Sequence, residues 1–199
     1  MKKMISFVLL LIAYSSFAQS NKLPNGVYLN FKQFKSQTPA YNTNLEVIKR
    51  TTADFILMGG NDYKLESPTD SLKKSFIKKK IFAYVKNDSV YINCMPQKLQ
   101  LWYAVCDNNK GSYITFEACM SQKEAAGVSM LGGLAAGAAA TTRYLYVIDL
   151  KKEKVLRLTK SSMTRILAGY PELLERYNNT EDKNSKEVLK DFIKRINEL

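Results

Sequence analysis

Hydrophobic and polar positions in this 199-residue chain follow three successive patterns. The first is an unbroken apolar run from Ile5 to Tyr14, behind Lys2 and Lys3 and ahead of the small residues Ser16 and Ala18. A charged lead, a short apolar stretch and a small-residue cleavage site are the marks of an export signal, here residues 1–18, and the run is shorter than the roughly 20 apolar residues a membrane span needs. The second pattern, from about residue 26 to 159, alternates with the period of strands. The third, from about 161 to 199, repeats every three to four residues, as amphipathic helices do. Residues 19–199 are therefore expected to form one α+β domain, a largely antiparallel β-meander sheet followed by C-terminal helices.

Particular residues sharpen this outline. Gly26 to Leu29 reads as a short strand, and Asn30 as the N-cap of a short helix with Phe31 and Phe34 on one face, ended by Pro39. From Leu45 to Glu66 the pieces LEVIKRT, DFILM and DYKLE, broken by Thr51-Thr52-Ala53 and Gly59-Gly60-Asn61, predict meandering strands. The clearest β-pattern runs from Lys78 to Cys119 as KKKIFAYVK, SVYINC, KLQLWYAVC and SYITFEAC, with turn residues between. A hairpin of Arg143 to Leu150 and Lys154 to Thr159 follows. Met163, Ile166 and Leu167 then share a helical face, Gly169 stops it, and Pro171 opens a second helix. The last helix, from about Ser185, gathers Val188, Leu189, Phe192, Ile193 and Ile196 on one face, with Asn184 and Glu187 spaced as a capping box.

One segment fits neither period. Residues 125–142, AAGVSMLGGLAAGAAATT, hold no charge and few large side chains, and interrupt the sheet as an insertion. Ser129, Gly133 and Gly137 are spaced by four, so a helix here would carry a smooth strip of the kind that lets helices approach closely in a bilayer or in a self-assembly. A loop between strands and a small-residue helix packed on the protein's own sheet are the other two readings, and Glu124 and Arg143 bracket the segment closely.

Charge adds a partner class. Loss of Lys2 and Lys3 with the signal lowers the formal charge from +12 to +10, still strongly basic. An exported basic protein is drawn to anionic envelope material such as lipid phosphate or acidic polysaccharide, whereas nucleic acid is not an expected partner there. The expected locations are the periplasm, the outer envelope or the medium. The densest cationic cluster, Lys73, Lys74, Lys78, Lys79 and Lys80, is interleaved with Phe76, Ile81 and Phe82 and is a candidate anion contact; an edge strand protected by lysines explains it as well.

Candidate chemistry is thin. The chain has no histidine, which removes the commonest general base, the usual catalytic zinc ligands and every Ser-His or Cys-His nucleophile pair. Cys94, Cys106 and Cys119 fall in three successive predicted strands, where they are either core thiols or supply one structural disulfide with one cysteine left over; no C-x-x-C spacing supports a redox or zinc motif. Ser71 with Lys74 and Ser75 with Lys78 match S-x-x-K, the first element of penicillin-recognising acyl enzymes, but S-D-N and K-T-G are absent. Gly132-Gly133 and Gly137 match no phosphate-binding loop, so no cofactor is expected. Asp70-Ser71-Leu72 and Asp88-Ser89-Val90 have the form of short O-glycosylation sites of exported bacterial proteins.

Taken together, GVYLNFKQFKSQTP, YLYVIDLKKEKVLRLT and ILAGYPELLERYNN with EVLKDFIKRINEL resemble a family of exported bacterial cell-envelope proteins of unknown function. The resemblance implies export and a single-domain architecture and carries over no site residue. The expectation is a non-enzymatic binding or structural module with a basic surface. Two alternatives are a membrane-associating or self-assembling protein acting through residues 125–142, and a hydrolase using Ser-Lys or carboxylate chemistry.

Overall fold

A computed structural model describes residues 22–108, 110–129 and 141–199. Residues 1–18, where an export signal is expected, and Gly133 and Gly137 lie outside the described residues. The architecture is α+β with antiparallel strand pairing. Six strands form one sheet: β1 (Gly26–Tyr28), β2 (Glu46–Lys49), β3 (Tyr63–Glu66), β4 (Ala83–Lys86), β5 (Ser89–Asn93) and β6 (Tyr103–Val105), in the order β1-β4-β5-β6-β3-β2. Three more, β7 (Tyr113–Ala118), β8 (Tyr144–Asp149) and β9 (Lys154–Arg157), pair in sequence as a second sheet. The sheets join where β6 ends: the Cys106 amide donates to Val90, Cys106 also bridges Phe116, and the Asp107 amide donates to Thr115.

Alternation along the strands explains the layering. Ala83, Val85, Val90, Ile92 and Ala104 point from the first sheet into a core shared with Ile114, Phe116, Ala118, Tyr146 and Ile148 of the second. Their chain neighbours point the other way. Tyr84 and Tyr103 pack outward with Leu65, Ile77 and Ile81, while Tyr113, Leu145 and Val147 pack outward against the C-terminal helices. Strands covered on both faces read as near-continuous apolar runs, which is why residues 78–119 carry so strong a β-signal. Each fully buried aliphatic or aromatic side chain contributes roughly 1.5–3 kcal/mol.

Seven helices are described, three short ones, α1 (Phe31–Lys35), α2 (Thr52–Met58) and α3 (Lys74–Lys79), then α4 (Gln122–Ser129), α5 (Lys160–Leu167), α6 (Pro171–Asn178) and α7 (Lys186–Asn197). The Asn30 cap forms as expected, its side chain accepting from the Gln33 amide at 2.9 Å. Three local expectations are corrected, and one helix is added. DFILM is helical because Thr51 and Asp54 make a reciprocal capping box, and its Leu57 and Met58 are exposed, so the apolar run is no interior strand. The lysine cluster lies on and around α3, and β4 begins only at Ala83, so these lysines do not guard an edge strand. α7 is capped by Ser185 rather than Asn184, the Ser185 hydroxyl accepting from the Val188 amide. α4 begins at Gln122, ahead of the small-residue segment, because Ser121 and Glu124 cap it reciprocally.

Candidate anion-binding groove

α3, β3 and the start of β6 enclose a groove of about 370 Å³ lined by Lys64, Leu65, Glu66, Lys74, Ser75, Ile77, Lys78, Lys79, Trp102 and Tyr103. Four ammonium groups thus face one carboxylate. Burial of Leu65, Ile77 and Tyr103 leaves the indole of Trp102, the chain's single tryptophan, as the partly exposed aromatic surface of the floor. The Nζ atoms of Lys64 and Lys78, from opposite walls, lie 5.8 and 5.3 Å from the indole centroid, and the Arg50 guanidinium carbon lies 5.7 Å from it. Cations at this range are attracted by the ring quadrupole, each by about 0.5–1 kcal/mol where water has access.

The wall formed by α3 is held from beneath. Buried Asn93 at the end of β5 directs its Nδ2 to the carbonyls of Ile81 at 2.8 Å, Lys78 at 3.0 Å and Ile77 at 3.4 Å, and the Tyr103 hydroxyl also donates to Ile77. These bonds satisfy carbonyls that a six-residue helix leaves open at its C-terminal end, where Lys78 and Lys79 also suit the helix dipole. On the opposite wall Lys64 pairs with Glu66 and holds that carboxyl below its usual range.

Trp102 sits at a φ of 76°, in the left-handed region. Its neighbours fix it there. The Trp102 carbonyl accepts from the Cys94 amide at 3.0 Å, and the Leu101 carbonyl accepts from the Asn61 amide at 2.8 Å and Nδ2 at 3.0 Å. A side chain on Gly60, itself at a φ of 88°, would put its Cβ 2.9 Å from both the Leu101 oxygen and the indole Cδ1. The indole Nε1 is buried and has no hydrogen-bond partner among the described residues. A left-handed non-glycine residue costs roughly 1–2 kcal/mol, and a buried unpaired donor roughly 1–3 kcal/mol.

Behind the indole lies a hydrogen-bonded polar hub. Arg50, 7% exposed, donates to the carbonyls of Gly59 at 2.7 Å, Asn61 at 2.9 Å and Asp54 at 2.9 Å. The Phe55 ring has the guanidinium carbons of Arg50 and Arg143 at 5.2 and 4.9 Å, and Arg143 grips Asp62 Oδ1 through Nε at 2.9 Å and Nη2 at 2.7 Å. The hub ties α2 and β3 to the start of β8.

Of the five cluster lysines, the groove gathers Lys74, Lys78 and Lys79, while Lys73 precedes α3 and Lys80 follows it. Lys64, Glu66 and Trp102 are the partners that sequence reasoning missed; the lone tryptophan in a Lys-rich β-region was the available signal. Ser71 and Ser75 are both exposed, and Ser71 Oγ meets Ser67 Oγ at 3.0 Å rather than a lysine. Cys94, Cys106 and Cys119 each follow a strand and are thiols in this structure. Burial pushes all three thiols up, which keeps them protonated and poorly nucleophilic. Ser129 ends α4. Among the described residues no helix is long and apolar enough to cross a membrane, and no group of three or more acidic or cysteine side chains is placed to hold a metal.

No curated protein and no solved structure matches the chain. The match to one family spans residues 26–199 and so covers both sheets and all the described helices. The chain belongs to the family of unknown function DUF6563.

Proposed function

We propose that this protein is an exported, non-enzymatic component of the cell envelope that binds anionic envelope material through the Trp102 groove. The observation that carries the reading is a groove lined by Lys64, Lys74, Lys78 and Lys79, with Lys64 and Lys78 over the Trp102 indole and Glu66 as the single carboxylate in the lining. Such a rim attracts anions over a Debye length and loses its grip in salt. The held, strained indole adds weight, because backbone outliers and unpaired buried groups concentrate where a site must be pre-formed. The export address and the basic surplus fit the same partner class.

The lone tryptophan makes the test direct. Polygalacturonate and phosphatidylglycerol vesicles are titrated separately into the mature chain, and Trp102 emission is read at low and high salt. A saturable change that salt abolishes is expected for at least one of them. Lys74→Glu with Lys78→Glu should weaken it at least about tenfold, equivalent to ~1.4 kcal/mol. An emission spectrum indifferent to both anions at low salt would sink the proposal, and intact mass of the protein from fractionated host cells checks the export.

A further inference from the structure

We infer that the groove's ligand is a ring-shaped, polyhydroxylated carboxylate, the acidic sugar unit of an anionic polysaccharide. This rests on the anion-binding reading above and narrows it. The walls are chemically mixed: Lys64, Lys74, Lys78 and Lys79 offer only donors, Glu66 only acceptors, and Ser75 both. A compact anion made of acceptors alone, such as phosphate, would use the ammonium groups and meet repulsion from Glu66, which Lys64 keeps ionised. A sugar acid satisfies both sides, its carboxylate taking the lysines and its hydroxyls donating to Glu66.

The floor points the same way. The partly exposed indole of Trp102 adds flat apolar surface between Lys64 and Lys78, suited to the C–H face of a sugar ring rather than to a small ion. A volume of about 370 Å³ holds a ring and lies within the range of small-molecule pockets. Lys74 and Lys78, one helical turn apart, stand about 6 Å from each other along α3, so the rim extends past a single unit. A chain of linked acidic units can lie along it.

The test uses the mature chain, Trp102 emission and four probes: a galacturonic acid tetramer, the same tetramer fully methyl-esterified, inorganic phosphate and phosphatidylglycerol vesicles. The acidic tetramer should bind saturably and at least tenfold more tightly than the ester or phosphate, with no response to vesicles beyond that of a lysine-reversed control. Glu66→Gln, a near-isosteric change at a half-buried side chain, should weaken the tetramer and strengthen phosphate, shrinking the tenfold preference to twofold or less. Equal binding of ester and acid, a preference for phosphate or vesicles, or a tetramer affinity untouched by Glu66→Gln overturns the sugar-acid assignment while leaving anion binding in place. Silence with all four probes removes both.

Discussion

Trp102 shows how a single residue can be placed against its own preference. A tryptophan at positive φ whose buried N–H meets no acceptor among the described residues is disfavoured twice, yet Asn61, Cys94 and Gly60 hold it from three sides. Trp102→Phe therefore has an unusual expected outcome. It removes the unpaired donor, worth about 1 kcal/mol or more, which offsets the smaller ring, so the urea midpoint should stay level or rise. Anion binding by calorimetry should nevertheless fall at least about fivefold, ~1 kcal/mol, because the floor of the groove is lost. Stability and binding moving apart at one position is the mark of a residue kept for its site. Nothing in the local stretch KLQLWYAV shows the backbone reversal, since the contacts that impose it come from outside it, from Cys94 eight positions back and from Gly60 and Asn61 about forty positions away.

At the scale of elements, α3 is the instructive case. Its six residues are too few to be stable alone, and with a lysine cluster running directly into an apolar strand the segment reads locally as β. What makes it a helix is remote: Asn93 and Tyr103 clasp its last carbonyls and Ile77 is buried beneath it. Asn93→Ala removes the side-chain donor to the Lys78 and Ile81 carbonyls, at an expected cost of about 1–3 kcal/mol, and loosens the wall that carries Lys74 and Lys78. Hydrogen exchange should quicken across residues 74–81 and anion affinity should drop, while the C-terminal helices keep their protection. The periodic elements were legible because their signals are local. Alternation over 83–93 and 144–157 and the apolar face of α7 all formed as expected, whereas α2 and α3 depended on caps and contacts that a hydrophobic period does not encode.

Across the whole molecule, ion pairs fasten the C-terminal layer to the second sheet. Glu117 of β7 accepts from Lys186 at 2.6 Å and Lys190 at 2.9 Å, and Lys190 also reaches Asp107 at 3.0 Å. Burial alone would raise the Glu117 carboxyl, but the two ammonium groups outweigh it and hold it below the usual range. A carboxyl lowered on folding stabilises the fold above its unfolded value, about 4.3, and loses that contribution as pH falls through its folded value. Glu117→Gln should therefore cost about 1 kcal/mol at neutral pH, and its urea midpoint should converge on that of the parent as the pH falls through the lowered folded value. A gap that persists unchanged into acid would refute the assignment of the network.

These pairings bear on how copies of the molecule meet. Asp62, Glu66, Asp107, Glu117, Glu124 and Asp191 are each engaged by a lysine or arginine of the same chain, so much of the acidic complement is neutralised from within. The surplus positive charge is left to solvent, and two such surfaces repel when they approach at low ionic strength. Neighbours in a confined space would then stay apart unless a polymer of opposite sign lay between them, and that polymer would set the spacing.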